Sequence, residues 1–201
     1  MQIFISSKKF TYIMVYSNGK VAGVLFFIAA TQFVLGLIVA EALYPGYSIS
    51  NNYISDLGIG PSAMVFNVSI FLLGLLSLIG TYFFQRAFDL KAVTILLTIA
   101  AVAAMGVGIF TENSGPIHMF ASFFVFLFSG LSAIFSYRLM KHPFSIIVIL
   151  LGLMSLLALI LYIGNFYFGL GVGGMERMIV YPILIWMIGF GSFLIAFPEK
   201  S

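Results

Sequence analysis

Apolar residues run along this chain in six nearly unbroken stretches, 21–43, 62–84, 92–110, 117–137, 144–165 and 178–197, and the segments between them hold most of the polar side chains. A helix needs about 20 mostly apolar residues to cross about 30 Å of hydrocarbon, so each stretch predicts one transmembrane helix. Barrel strands would alternate apolar and polar positions over about ten residues, and these runs do not alternate. The pattern therefore predicts an all-α fold, a polytopic bundle of six transmembrane helices over 21–197. An N-terminal arm at 1–20 precedes it, with Phe4, Phe10, Tyr12 and Tyr16 placed to sit at headgroup level, and a short tail at 198–201 follows.

The links divide into two kinds. On one side 85–91 and 138–143 are short and basic, which makes the joined helices tight antiparallel hairpins. On the other side 44–61 is long and rich in Ser, Asn, Gly and Tyr, 111–116 is tight, and 164–175 is rich in glycine. Long loops in compact folds carry function more often than short ones, which draws attention to 44–61. Within the spans, small and polar residues share faces: Ala100, Ala104 and Gly108 lead toward Glu112; His118, Ser122, Ser129 and Ser136 share an arc; so do Ala63, Asn67, Gly74, Ser77 and Thr81. Such faces should point inward, where helix backbones can approach and polar groups find partners, and a plain packing seam accounts for most of their Ser, Ala and Gly members. Pro182 should kink the sixth span and free a carbonyl one turn earlier.

Composition agrees with the pattern and narrows it. With 62% hydrophobic and 7% charged residues, the chain has too little polar surface for a water-soluble globule. It has no cysteine, which excludes disulfides, iron–sulfur clusters and thiolate zinc sites. The sequence Ala40-Glu41-Ala42 imitates a signal-peptidase site, but the preceding apolar run exceeds the roughly 7 to 15 residues of a signal segment, so the first stretch reads as a span. Charge then orients the bundle. Lys8, Lys9, Lys20, Arg86, Lys91, Arg138, Lys141 and Lys200 fall on one side and Arg177 alone on the other, which places both termini in the cytoplasm.

The side chains able to do chemistry gather at the opposite, extracytoplasmic side: Glu41, Asp56, Glu112, His118, Glu176 and Arg177, with Asn51, Asn52, Asn67, Asn113 and Asn165. Glu41 and Glu112 close the first and third spans, where the negative end of the helix dipole disfavours an anion, so each needs an opposite charge, a proton or a cation. Asp56 and Glu176 stand before or at helix starts, where the dipole favours them. The catalytic expectation is His118 as general base, oriented by Glu112 or Asp56. The ligand-binding expectation is Arg177, whose planar fork suits a phosphate or carboxylate, assisted by Glu41, Glu176, Asn52, Asn67 and Tyr181. Plainer readings stand beside these: Asp56 turns the chain around Gly58 and Gly60, Glu176 is a first-turn acid, His118 is a hydrogen-bonded structural residue, and Arg177 makes a structural ion pair.

Other chemistries find less support. Glu112 and His118, with Asp56 or Glu41, could offer three ligands, but a single histidine there and no paired His or Cys spacing predict no metal site. His118 and His142 lie at opposite ends of one span, which speaks against a bis-histidine haem, and no cofactor is expected. Ser114 or Ser122 could serve as a nucleophile beside His118, without the glycine pattern of a nucleophile elbow. The run 169–174 lacks the strand and the Lys-Ser/Thr pair of a phosphate loop and reads as a flexible hinge.

Three stretches taken together, Pro45-Gly46-Tyr47-Ser48 with Ile54-Ser55-Asp56-Leu57-Gly58 and Phe66-Asn67, the turn from Glu112 to His118, and Gly174-Met175-Glu176-Arg177 with Trp186 downstream, resemble the prokaryotic membrane family known as domain of unknown function 998. The resemblance covers 21–197. It implies a six-helix fold in a prokaryotic cell membrane and carries no assigned activity; that family resembles in turn the Frag, DRAM and Sfk group, some of whose members are linked to lipid remodelling. The expected function is an extracytoplasmic polar pocket that binds or acts on an anionic lipid or similar amphiphile, with membrane lipids as partners and no nucleic acid. Whether the protein is an enzyme stays open at this point. The alternatives are an accessory or scaffold subunit that docks other integral membrane proteins and, third, an ion-coupled transporter, which the absence of mid-membrane charges and of an inverted repeat disfavours.

Overall fold

The computed structural model describes residues 17–196. Nearly all of the arm expected at 1–20, and the tail at 198–201, lie outside the described residues. Six helices follow in chain order: α1 Asn18–Leu43, α2 Ala63–Phe88, α3 Lys91–Ile109, α4 Pro116–Phe135, α5 Phe144–Ile163 and α6 Gly171–Ala196. Each is long and apolar enough to cross a bilayer, and there is no strand among the described residues. This is an integral membrane protein with an all-α six-helix fold.

Local chemistry sets several of the helix ends. Ser17 Oγ accepts from Lys20 N at 3.5 Å and takes up one of the unpaired N–H groups that open α1. Asp89 ends α2 in the left-handed region at φ 41°, and Pro116 opens α4, where its missing N–H is harmless. Each helix packs on its neighbour in sequence, and α6 closes the ring on α1. Helices in lipid gain little from hydrophobic burial against one another, so close backbone approach at small residues holds them. At the α1–α6 crossing a Cβ placed on Gly23 or on Gly191 would come within 2.6 or 2.7 Å of the other's carbonyl oxygen. The inward stripes are largely as the sequence places them: Ala100, Ala104, Gly74, Ser77, Thr81 and Ser136 are all buried.

Polar groups inside the bundle satisfy one another. Ser155 Oγ on α5 donates to the Ile179 carbonyl at 2.8 Å, just upstream of Pro182, which lies inside the continuous α6. Trp186 Nε1 donates to Ser136 Oγ at 3.0 Å, and Ser136 donates onward to the Ala133 carbonyl at 2.6 Å. The main departure from expectation is α6, which starts at Gly171, about two turns before the expected 178. Gly171 and Gly173 are therefore not a hinge. They are the surface on which the 44–61 loop lies: a Cβ on Gly173 would strike the Asn52 and Ile49 carbonyl oxygens, and Gly173 N donates to Ser50 O at 3.1 Å.

Candidate functional site

The 44–61 segment is an ordered cap on one end of the bundle. Asn52 organises it, accepting from Ser48 N at 3.0 Å through Oδ1 and donating to Asp56 Oδ2 at 2.9 Å through Nδ2. Asp56 also accepts from Tyr53 N at 2.9 Å, which fixes the 3-10 turn Ser55–Gly58. That turn buries Ile54 and Leu57 between the helices, while Asn67 Nδ2 on α2 donates to the Gly58 carbonyl at 3.0 Å. Asp56 and Asn52 thus serve the loop's own conformation, the plainer of the two sequence readings for Asp56.

Arg177, in the second turn of α6, is buried and bonded on both Nη atoms. Nη2 donates to Glu41 Oε1 at 2.6 Å and to Tyr47 Oη at 2.8 Å; Nη1 donates to the carbonyls of Gly173 at 3.0 Å and Ile49 at 3.2 Å. The guanidinium also stands 5.5 Å from the centre of the Tyr47 ring. This answers the dipole problem at the end of α1: the carboxylate of Glu41 is compensated by the one fixed positive charge beside it. Burial pushes the Tyr47 hydroxyl up to about 12 despite Arg177, so it stays a neutral donor to the Tyr53 carbonyl at 2.9 Å. Only Nε of Arg177 remains, buried and without a hydrogen-bond partner. All four Nη hydrogens thus have acceptors within the chain, and Arg177 ties α6 to α1 and to the loop, the plainer of its two sequence readings.

Glu176 is likewise not the first-turn acid expected. It sits in the second turn of α6, 5% exposed, and accepts from Ile54 N at 2.5 Å, tying the loop to α6 from below. Glu112, in the turn after α3, lies beside Asp56 and Ser55. Burial, with the Asp56 carboxylate as second cause, raises its carboxyl to about 7, and its Oε2 is buried without a partner. Asn67 Oδ1 is a second buried acceptor without a donor. Tyr181, one turn beyond Arg177, is exposed. Among the described residues no three His, Asp or Glu side chains converge in a way that could hold a metal ion.

His118 is oriented neither by Glu112 nor by Asp56. Its Nδ1 lies 2.8 Å from the Phe110 carbonyl at the end of α3, and its Nε2 lies 3.3 Å from Ser122 Oγ. Below the cap the helices line a partly open cavity of about 90 Å³. Ile54 and Ser55 of the loop and Glu176 face its outer part, Ala100 and Ala104 of α3 and Ser122 and Ser129 of α4 its sides, and Trp186 and Met187 its deep end. From Glu176 to Met187 on α6 it runs about 16 Å along the helix axis, half of a bilayer's hydrocarbon. Its walls are almost wholly apolar side chains.

With this geometry in view, the match to known proteins is specific: the family model described as Protein of unknown function (DUF998) matches residues 27–192, which take in the capping loop, the cluster and the cavity wall. The chain belongs to that family. No curated protein and no solved structure matches it. Within this DUF998 fold, sequence reasoning named Glu41, Asp56, Glu112, Glu176, Arg177 and Asn52 as candidates, and the structure gathers them in and around one loop, to which Asn52 and Asp56 themselves belong. It missed Tyr47, the Ile54 amide and the Phe110 carbonyl. Tyr47 stood within a noticed motif, whereas a backbone group carries no signature in sequence.

Proposed function

We propose that this DUF998 protein holds an amphiphile taken from the bilayer, its apolar tail in the central cavity and its polar head beneath the 44–61 loop on the extracytoplasmic side. The observation that carries the reading is the cavity itself. A space of about 90 Å³ with apolar walls is poorly hydrated, and filling it recovers about 2 kcal/mol of lost contact by the usual cavity coefficient. Lipid tails are the apolar chains at hand. The polar groups about the capping loop favour a particular head: with Arg177 committed to Glu41, the groups left over there, beyond the cavity's own lining, are Asn67 Oδ1 and, when ionised, Glu112 Oε2. They suit a head that donates hydrogen bonds, a hydroxyl, amide or ammonium group, better than a bare phosphate. Orientation rests on the basic links at the other end, where Arg86, Lys91, Arg138 and Lys141 lie, and a prokaryotic cell membrane is the setting.

The test is lipid analysis of protein purified in mild detergent. Wild type should retain a defined lipid at near-stoichiometric amount, and Ala104→Phe, which fills the cavity from α3, should lose it at least tenfold with no fall in melting temperature. Equal lipid content in the two proteins would overturn the proposal.

A further inference from the structure

We infer that Ser122, which lines the cavity, and its neighbour His118 form a nucleophile–base pair that acts on an ester-linked chain. The inference rests on the proposed occupancy of the cavity and adds chemistry to it. The Phe110 carbonyl can only accept, so His118 Nδ1 carries the proton that bonds to it at 2.8 Å. The other nitrogen, Nε2, then presents its lone pair, and Ser122 Oγ, one turn further along α4, donates to it across 3.3 Å. This fixes the tautomer and ring orientation that general-base activation of a hydroxyl requires, with the end of α3 doing what a carboxylate does in other triads. Most other serines and threonines in these helices with an assigned bond spend their hydroxyl on a backbone carbonyl, as Ser77, Ser132 and Ser155 do. Ser122 instead bonds to an imidazole and lines the cavity, where Ser55 and Ser129 add two more hydroxyl donors.

The reaction follows from that placement. Ser122 Oγ bonds to the ester carbonyl carbon as its proton passes to His118 Nε2. The ester C–O bond breaks, and the departing alkoxide takes that proton. Water then adds to the acyl carbon through the same base, releasing a carboxylic acid and restoring the serine hydroxyl.

A long-chain alkyl fluorophosphonate tests this directly, because its phosphorus accepts Ser122 Oγ, fluoride leaves, and the proton goes to Nε2. On full-length protein in mild detergent, peptide mass spectrometry should find the adduct on Ser122; Ser122→Ala should carry none, and His118→Gln should label at least tenfold more slowly. Release of nitrophenol from a long-chain nitrophenyl ester, lost in Ser122→Ala at unchanged melting temperature, is the second measurement and does not need the histidine variant to fold. Absence of a Ser122 adduct on folded wild type, or equal ester cleavage by wild type and Ser122→Ala, overturns the inference. If lipid is still retained by wild type and lost in Ala104→Phe, the binding proposal survives that failure; labelling without retained lipid has the opposite meaning.

Discussion

Arg177 illustrates how one side chain can be legible in type and illegible in role. A lone guanidinium among acids could be read as a ligand or as a strut, and the sequence offered both. In the fold its four Nη hydrogens go to Glu41, Tyr47, Gly173 and Ile49, so removing it strands the Glu41 carboxylate and two loop contacts. Arg177→Met should therefore lower unfolding stability by about 3 kcal/mol, and adding Glu41→Gln should restore part of it; chemical denaturation in detergent measures both. A variant as stable as wild type would return Arg177 to the list of ligand groups. Glu112 makes a prediction of opposite character. Its folded carboxyl titrates near 7 against an ordinary 4.5, so the folded state favours the protonated form. The contribution is fully present below about 4.5 and is lost as pH rises through 7. Melting temperature should fall by a few degrees from pH 5 to pH 8, and Glu112→Gln should flatten that slope.

At the scale of elements, five of the six helices lie close to the expected apolar runs, and the exception is instructive. Glycine is a poor helix former, so 169–174 read as a hinge and α6 was expected to start at 178. Tertiary contact overrides that propensity: with no Cβ at Gly173, the carbonyls of Ile49 and Asn52 lie directly on the helix, and Gly171 adopts φ 74° against Ser50. The two turns gained carry Glu176 and Arg177 into the body of the bundle. Gly173→Ala should push the capping loop away at a cost of about 1–3 kcal/mol, seen as a lower melting temperature and faster proteolysis within 44–61. Unchanged cleavage would show that the loop does not depend on this contact. The same logic applies to α4, where the shared arc of His118 and Ser122 was visible from spacing, and their bond was settled only by the α3 carbonyl that turns the ring.

For the molecule as a whole, the ring of helices and the sorting of charge make a topological prediction that the absence of cysteine renders easy to test. Asn51→Cys in the exposed capping loop should react with a membrane-impermeant maleimide on intact cells, and Lys141→Cys should react only after permeabilisation; the reverse pattern would invert the bundle. The number of spans, the helical class and the side on which polar residues collect followed from sequence alone, because transfer into lipid is a property of each residue and its near neighbours, and long apolar runs leave one solution. Which groups meet did not follow. Glu41 and Arg177 are 136 residues apart, Ile54 N and Glu176 are 122 apart, and half of the second pair is a backbone amide identical to nearly every other in the chain. Only the packing of α6 against α1 and the loop selected those partners and left an apolar space beneath them, since a cavity is a property of what surrounds it and belongs to no single stretch of residues.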